Sequence, residues 1–343
     1  MEHFDAIKDY YGKVLQTKED LKTTACCAGD SIPGYLKPIV AKVHETVQSR
    51  FYGCGVPIPE AIEGCQVVDL GCGTGRDCFV MSKLVGEGGR VIGIDMTRAQ
   101  LDTAREYQDY HKEVYGLSQS NVDFRQGFIE DLAGCDIASE SADLVVSNCV
   151  INLSPRKDKV FSEIHRILKS GGELYFSDVF VDRRLSEPLT KDPVLLGECL
   201  GGAMYLEDFR RLMQKVGFAD VRVVSKSEIQ MTNPDVKKKV GPARFYSYTF
   251  RAFKLDLEDR CEDYGQLARY LGTIDHAERG FRLDDHHYFE TGKPFPVCSN
   301  TAAMLAKSRF KGHFEVIGDT KTHYGLFDCA PGAPIAASDG GCC

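Results

Sequence analysis

The sequence predicts an α/β fold in which a doubly wound, mostly parallel sheet carries helices on both faces. Three observations predict it. From Gln66 to Phe253 short apolar runs alternate with amphipathic stretches, the pattern of strands threaded through covering helices. A glycine-rich loop, DLGCGTG (Asp69 to Gly75), follows the first apolar run and opens the first helix, which is where such folds cradle nucleotide-like ligands. An acid, Asp95, ends the second strand 24 residues beyond Gly71, a position from which a carboxylate reaches ribose hydroxyls.

The elements follow in order. VVDLG (Val67 to Gly71) is the first strand and a helix runs from about Arg76 to Leu84. RVIGID (Arg90 to Asp95) is the second strand, before a long helix over roughly Ala99 to Tyr115. NVDFRQG and ADLVVSN supply the third and fourth strands. A helix near Lys157 to Lys169 is expected to stop at Gly171-Gly172, since glycine ends helices. ELYFSDV (Glu173 to Val179) is the fifth strand, hydrophobic enough to be central. Residues 180–204, with Pro188, Pro193 and GECLGG, break the alternation and read as an insertion over the cofactor cleft, the kind of loop that carries substrate residues. A helix at about Tyr205 to Val216 and strands at Val221 to Ile229 and Arg244 to Lys254 close an antiparallel edge. The domain reading is a mostly helical region 1–65, a sheet domain 66–255, a C-terminal domain 256–330 and a Cys-ending mobile tail 331–343.

Composition narrows the function. With 43% hydrophobic residues in 343 the chain can bury a large core. A net charge of −8 with no basic arm argues against nucleic-acid binding. The N-terminus has no basic segment followed by an apolar one, and no apolar run nears the ~18 residues of a membrane span. A cytoplasmic monomer that binds no membrane is the expectation. Fourteen cysteines spread through so long a chain then read as reduced thiols, not as a disulfide scaffold. Cys65, Cys72, Cys78 and Cys135 sit among small or apolar neighbours and read as core filling. The His286-His287 pair reads as surface or local structure.

Gly71, Gly73 and Gly75 let the loop backbone approach a ligand where a Cβ would obstruct it. A dinucleotide fingerprint needs Gly or Ala where this chain has Arg76, so S-adenosylmethionine is favoured over a pyrophosphate cofactor. Asp69 precedes the loop, Asp95 would bind the ribose, and Met96 would lie beside the adenine. The GFIEDL turn (Gly127 to Leu132) would bring Ile129 and Glu130 to the adenine edge. Asn148 would meet the methionine end of the cofactor or fix the strand terminus.

Four cysteine settings surround this loop: TACC (Cys26, Cys27), YGCG (Cys54), SNCV (Cys149) and GECLGG (Cys199). Three thiolates suit the pyramidal geometry of a trivalent ion with a lone pair, whereas structural zinc wants four ligands and usually a C-x-x-C pair, which this chain lacks. Cys149 ends the fourth strand, where sheets of this type place ligands. Glu198 stands beside Cys199 and reads as a supporting group or a loop carboxylate. Tyr10, Tyr11 and Tyr52 read mainly as packing.

With these segments in view the chain resembles the arsenite S-adenosylmethionine methyltransferases. The matching stretches are YYGKVL, LKTTAC, RFYGCG, DLGCGTGRDC, GIDMT, VVSNCVINL, GGELYFSDV and GECLGGA, with weaker agreement at NTAAMLAKSRF and the terminal GGCC. The resemblance implies a Rossmann-like class I methyltransferase sheet, S-adenosylmethionine as methyl donor, no metal cofactor, and As(III) or its thiol conjugates as substrate. It implies four functional cysteines, Cys26, Cys54, Cys149 and Cys199. Cys149 and Cys199 would hold As(III) with Cys54 as third thiol, and Cys26 with Cys54 would form a disulfide that thioredoxin or glutathione re-reduces. Cys27 follows Cys26 directly, so the choice between them stays open, with the TAC match favouring Cys26. Methyl transfer to a small metabolite, a metalloid sensor without catalysis, and an NAD oxidoreductase are the other readings.

Overall fold

A computed structural model describes residues 32–51 and 53–329. They form two compact units that part between Lys254 and Leu255. The first is built on an eight-stranded sheet: β1 (Gln66–Leu70), β2 (Arg90–Asp95), β3 (Val122–Gln126), β4 (Ala142–Asn148), β5 (Leu168–Val181), β6 (Met204–Tyr205), β7 (Val221–Glu228) and β8 (Phe245–Phe253). Their order is β3-β2-β1-β4-β5-β8-β7, with β6 beside β5. The strands from β3 to β5 are parallel. β8 runs antiparallel to both β5 and β7.

Alternate residues of each inner strand enter opposite cores. Val68 and Val145 pack with Phe161, Phe176, Phe209 and Phe250 on one face. Val67, Leu144 and Val146 pack with Phe79, Val91 and Phe124 on the other. Burial on both faces is why these strands are apolar almost throughout. β1 feeds the helix Arg76–Val85 toward β2, while β4 leads on through the helix Lys157–Ile167 to β5 on the opposite side. The carboxyl ends of β1 and β4 therefore diverge, and a crevice opens between them.

Three local expectations change. The helix Lys157–Ile167 ends at Leu168 without help from glycine, and Gly171-Gly172 lies inside β5. There the β4 pairing steps from Ala142↔Leu168 to Leu144↔Glu173, a bulge in which Gly171 takes a φ of 81° that glycine adopts without penalty. The helix expected over Ala99 to Tyr115 is broken at Tyr107 into Arg98–Glu106 and Gln108–Tyr115, and Tyr107 stacks on His44 at 4.0 Å. In the described N-terminal region only Lys37–Val40 and Glu45–Ser49 are helical. Pro57 and Pro59 keep the segment around Cys54 irregular, because proline lacks the N–H a helix needs.

The second unit holds a three-stranded antiparallel sheet, β10 (Leu267–Tyr270) between β13 (Pro294–Pro296) and β14 (Phe314–Ile317). Two pairs complete it, β11 (Gly280–Arg282) with β12 (Tyr288–Glu290) and β9 (Glu262–Asp263) with β15 (Gly325–Leu326). Its core is aromatic, with Tyr270, Phe281, Phe289 and Phe310 fully buried. His287 is buried and local in role, its Nδ1 2.7 Å from Asp284. Among the described residues no helix is long and apolar enough to cross a membrane.

Candidate active site

The crevice between β1 and β4 is a cleft whose floor is the glycine loop. Gly71, Gly73 and Gly75 all have positive φ, at 73°, 55° and 83°. At Gly71 an added Cβ would collide with Val150, and at Gly75 it would lie 2.6 Å from Phe124. At Gly73 it would meet nothing within 4 Å, so this loop face is open to the cleft. The loop is pinned from β2: Gly71 and Cys72 N–H donate to the Ile94 carbonyl at 2.8 and 3.0 Å. Asp95 accepts from the Gly73 N–H at 2.9 Å and the Thr97 N–H at 2.7 Å. Each Asp95 oxygen keeps a lone pair for a ligand hydroxyl.

Met96, Ile129 and Phe128 form apolar wall, and Glu130, bonded to the Ser154 hydroxyl, stands at its edge. Asp69, Asp77, Asp95 and Glu130 all line the cleft, against Arg50 as its one lining cation among the described residues. That lining suits a cationic nucleoside such as a sulfonium and not a pyrophosphate. Burial first, with Asp77 and Asp95 nearby, pushes the Asp69 carboxyl up to about 8. Burial also raises Asp95. Arg76, whose side chain argued against a dinucleotide, is buried, paired with Asp77 at 2.7 Å and set over the Phe51 ring at 4.0 Å. Cys72 packs against the core as expected and also lines the cleft, and burial lifts its thiol to about 11.

At the end of β4 the cleft meets the thiols. The Asn148 side-chain carbonyl accepts from the N–H groups of Cys54 at 3.0 Å and Gly55 at 3.3 Å. Its amide donates to the Gly55 carbonyl at 3.0 Å and to Asp77 at 3.1 Å. All four bonds hold the Cys54 loop and the cofactor helix to the strand end. Cys149 follows with φ 60°, as does Cys199 in its own loop. A left-handed backbone at a non-glycine residue costs roughly 1–2 kcal/mol, and such strain concentrates where side-chain direction matters.

The Cys54 and Cys149 sulfurs and an Asp178 carboxylate oxygen lie within 4.8 Å of one another, all three residues buried. Cys199, fully buried, sends its thiol to the Cys149 carbonyl at 3.4 Å. Burial pushes the Cys54 thiol up. Asp178 accepts from the Val179 N–H at 2.8 Å and the Asn152 N–H at 3.0 Å. Burial, then the Cys199 thiol, pushes its carboxyl up to about 8. Lys157 donates to the carbonyls of Asn152 and Ser154 at 3.2 and 2.9 Å, and burial lowers its pKa.

Cys54, Cys149 and Cys199 thus share one apolar cluster, and Cys149 also lines the cleft. The insertion 180–204 supplies Cys199 but none of the cleft lining. Glu198 is fully buried. Cys26, Cys27, Tyr10, Tyr11, Tyr52 and the tail cysteines Cys342 and Cys343 lie outside the described residues. Asp178, Lys157 and Phe128 escaped the sequence reading. An acid inside the apolar run of β5 was the signal for Asp178, while nothing local marks Lys157.

Comparison with known proteins bears on this geometry. Residues 62–217 match the family model of a methyltransferase domain, and residues 265–332 match that of the arsenite methyltransferase C-terminal domain. An arsenite methyltransferase of Aquipseudomonas alcaligenes is 54% identical over 96% of this chain and 95% of its own length. One from Homo sapiens is 45% identical over 90% of this chain and 82% of its own. The crystal structure of an arsenic (III) S-adenosylmethionine methyltransferase from Chlamydomonas reinhardtii superposes with a TM-score of 0.84 at 50% identity, covering 87% of this chain and 100% of that one.

Gly71→Ala should lower both stability and S-adenosylmethionine affinity, because its Cβ strikes Val150. Gly73→Ala should weaken affinity by about tenfold or more while costing only about 1–2 kcal/mol of backbone strain. Paired calorimetry and urea unfolding read the difference, and equal stability losses would contradict the open face. The folded Asp178 carboxyl holds its proton over a window where the unfolded one has lost it, so stability should fall as pH rises between about 4 and about 8. Asp178→Asn should remove that part of the slope, as followed by urea midpoints across the window, and an unchanged slope would refute the buried neutral acid.

Proposed function

Because the chain belongs to the arsenite methyltransferase family and is an S-adenosylmethionine-dependent arsenite methyltransferase, we propose that Cys54, Cys149 and Cys199 hold the arsenic during methyl transfer. One observation carries the assignment: Cys149 belongs at once to the cofactor cleft and to the buried thiol cluster.

Arsenous acid exchanges its three hydroxyls for the three thiols, each thiol proton leaving with a hydroxide as water. Three sulfurs leave the arsenic lone pair directed away from the As–S bonds. The residues that would hold S-adenosylmethionine are Asp95 and the backbone of Gly71 and Gly73, with Met96, Phe128, Ile129 and Glu130 around the adenine. When bound it supplies an electrophilic methyl group on a sulfonium, which suits a lone-pair nucleophile. No side chain needs to remove a proton from arsenic. The chain contributes by alignment and by excluding water, since Cys54 and Cys199 are fully buried. Asn148 sets the Cys54 backbone against β4 and serves as a positioning residue.

Transfer formally raises arsenic from trivalent to pentavalent. The Cys26 thiol attacks the Cys54 sulfur and loses its one proton, the As–S bond to Cys54 breaks with its electron pair returning to arsenic, and the methylated trivalent arsenic stays on Cys149 and Cys199; thioredoxin or glutathione then reduces the Cys26–Cys54 disulfide. The enzyme works in this account as a cytoplasmic monomer, and its consequence is arsenic detoxification. Methyl transfer to a small metabolite is the weaker reading, because it leaves the buried thiols without a role.

Purified enzyme given arsenite, S-adenosylmethionine and a thiol reductant should release methylated arsenic, counted by chromatography with mass detection. Cys149→Ser and Cys199→Ser should each lower product by at least about a hundredfold, the scale of losing a group that aligns a reactant. Cys199→Ser should keep S-adenosylmethionine affinity within about threefold, since Cys199 does not line the cofactor cleft. Either variant turning over at the wild-type rate would sink the assignment.

A further inference from the structure

The C-terminal unit gathers a second set of thiols that this reaction does not use. Cys261 precedes β9 and Cys329 follows β15, and these strands pair Gly325↔Asp263 and Leu326↔Glu262. The Phe327 N–H donating to the Cys261 carbonyl at 2.8 Å extends the ladder and brings the two cysteines together. Cys298 caps the helix Ser299–Lys307, its sulfur accepting from the Thr301 N–H at 3.4 Å. Asn300 joins the parts: its side chain accepts from the Glu258 N–H at 2.9 Å and donates to the Glu258 carbonyl at 2.8 Å. The Cys261, Cys298 and Cys329 sulfurs lie within 4.8 Å of one another.

None of the three is in a disulfide. Cys298 is buried, while Cys261 and Cys329 are partly exposed, which leaves a path from solvent. Hydrogen bonding to Cys261 and Cys298, together with burial, pushes the Cys329 thiol far up. The three soft donors converge on one point, with the Cys298 sulfur at a helix N-terminus. Among the described residues no fourth His, Cys, Asp or Glu donor completes the group. Structural zinc would want four ligands. A trivalent metalloid wants three soft donors and fills the fourth direction with its lone pair.

We propose that Cys261, Cys298 and Cys329 form a second arsenic(III) site, built wholly within the C-terminal unit. The choice of ion rests on the reading of the active site given above, whereas the thiol cluster does not. Arsenous acid enters by breaking three As–O bonds and forming three As–S bonds. Each thiol proton leaves with a hydroxide as water, and no electrons change hands. The site holds arsenic in reserve on the same chain that methylates it.

The test counts bound arsenic per chain by mass detection after reduced full-length protein is equilibrated with arsenite and desalted. In a Cys149→Ser, Cys199→Ser background about one equivalent should remain. Cys261→Ser, Cys298→Ser or Cys329→Ser added to that background should each remove it, while Cys342→Ser with Cys343→Ser should not. Melting curves check folding, and the partly exposed Cys329 gives a variant that spares the helix cap. In the otherwise native chain Cys298→Ser should methylate within about twofold of wild type, because Cys298 is not among the residues that line the cleft. No retained arsenic in the background variant, retention through all three serine changes, or zinc displacing arsenite at equal concentration would overturn the site. If the background variant instead still methylated arsenic, the active-site reading would fail and not this one.

Discussion

One carboxamide ties the first unit together. Asn148 ends a strand buried on both faces, and its four hydrogen bonds reach the Cys54 loop on one side and Asp77 of the cofactor helix on the other. A side-chain amide can meet both demands because it is donor and acceptor at once. An acid in its place could not donate to Asp77, and a hydrocarbon could not satisfy the N–H groups of Cys54 and Gly55. Even the neighbouring glycine follows from this clamp, since a Cβ at Gly53 would lie 2.5 Å from the Asn148 amide nitrogen. The next residue, Cys149, then turns through a left-handed backbone and faces both the cleft and the other thiols.

The electrostatics agree with a site that keeps charge low until its substrate arrives. Burial favours the neutral forms of the Cys54 thiol and the Asp178 and Asp69 carboxyls. A trivalent centre that trades hydroxyls for thiols is neutral before and after the exchange, so the buried cluster gains no net charge. A protonated Asp178 beside Cys54 and Cys149 competes poorly as an anionic ligand. The cleft holds four acids against one lining cation among the described residues, and of these the buried Asp69 serves as a neutral hydrogen-bonding group.

Much of this was legible in the residues. Alternating apolar runs identify the inner strands because both faces of those strands are buried, and the Gly71, Gly73, Gly75 spacing marks the loop because each position needs a positive φ. Asp95 could be placed since it ends a strand at a fixed distance from that loop. Gly171-Gly172 forms a bulge where the sequence pattern suggests a helix stop, as the same freedom of φ serves both uses. The meeting of Cys54 with Cys149 depends on tertiary hydrogen bonds 94 residues apart in sequence, and no local pattern records it. Asp178 hides in an apolar strand for the same reason. Cys261, Cys298 and Cys329 converge only once β9 and β15 have paired.

Arsenic K-edge X-ray absorption on the reduced protein, carrying Cys298→Ser to silence the C-terminal thiols, tests the central claim most directly. Thiolate capture by Cys54, Cys149 and Cys199 predicts three sulfur neighbours and no oxygen, with one sulfur lost in Cys149→Ser. An oxygen in the shell of this protein, with sulfur neighbours that adding Cys149→Ser leaves unchanged, would contradict the account and point to Asp178 as a ligand instead.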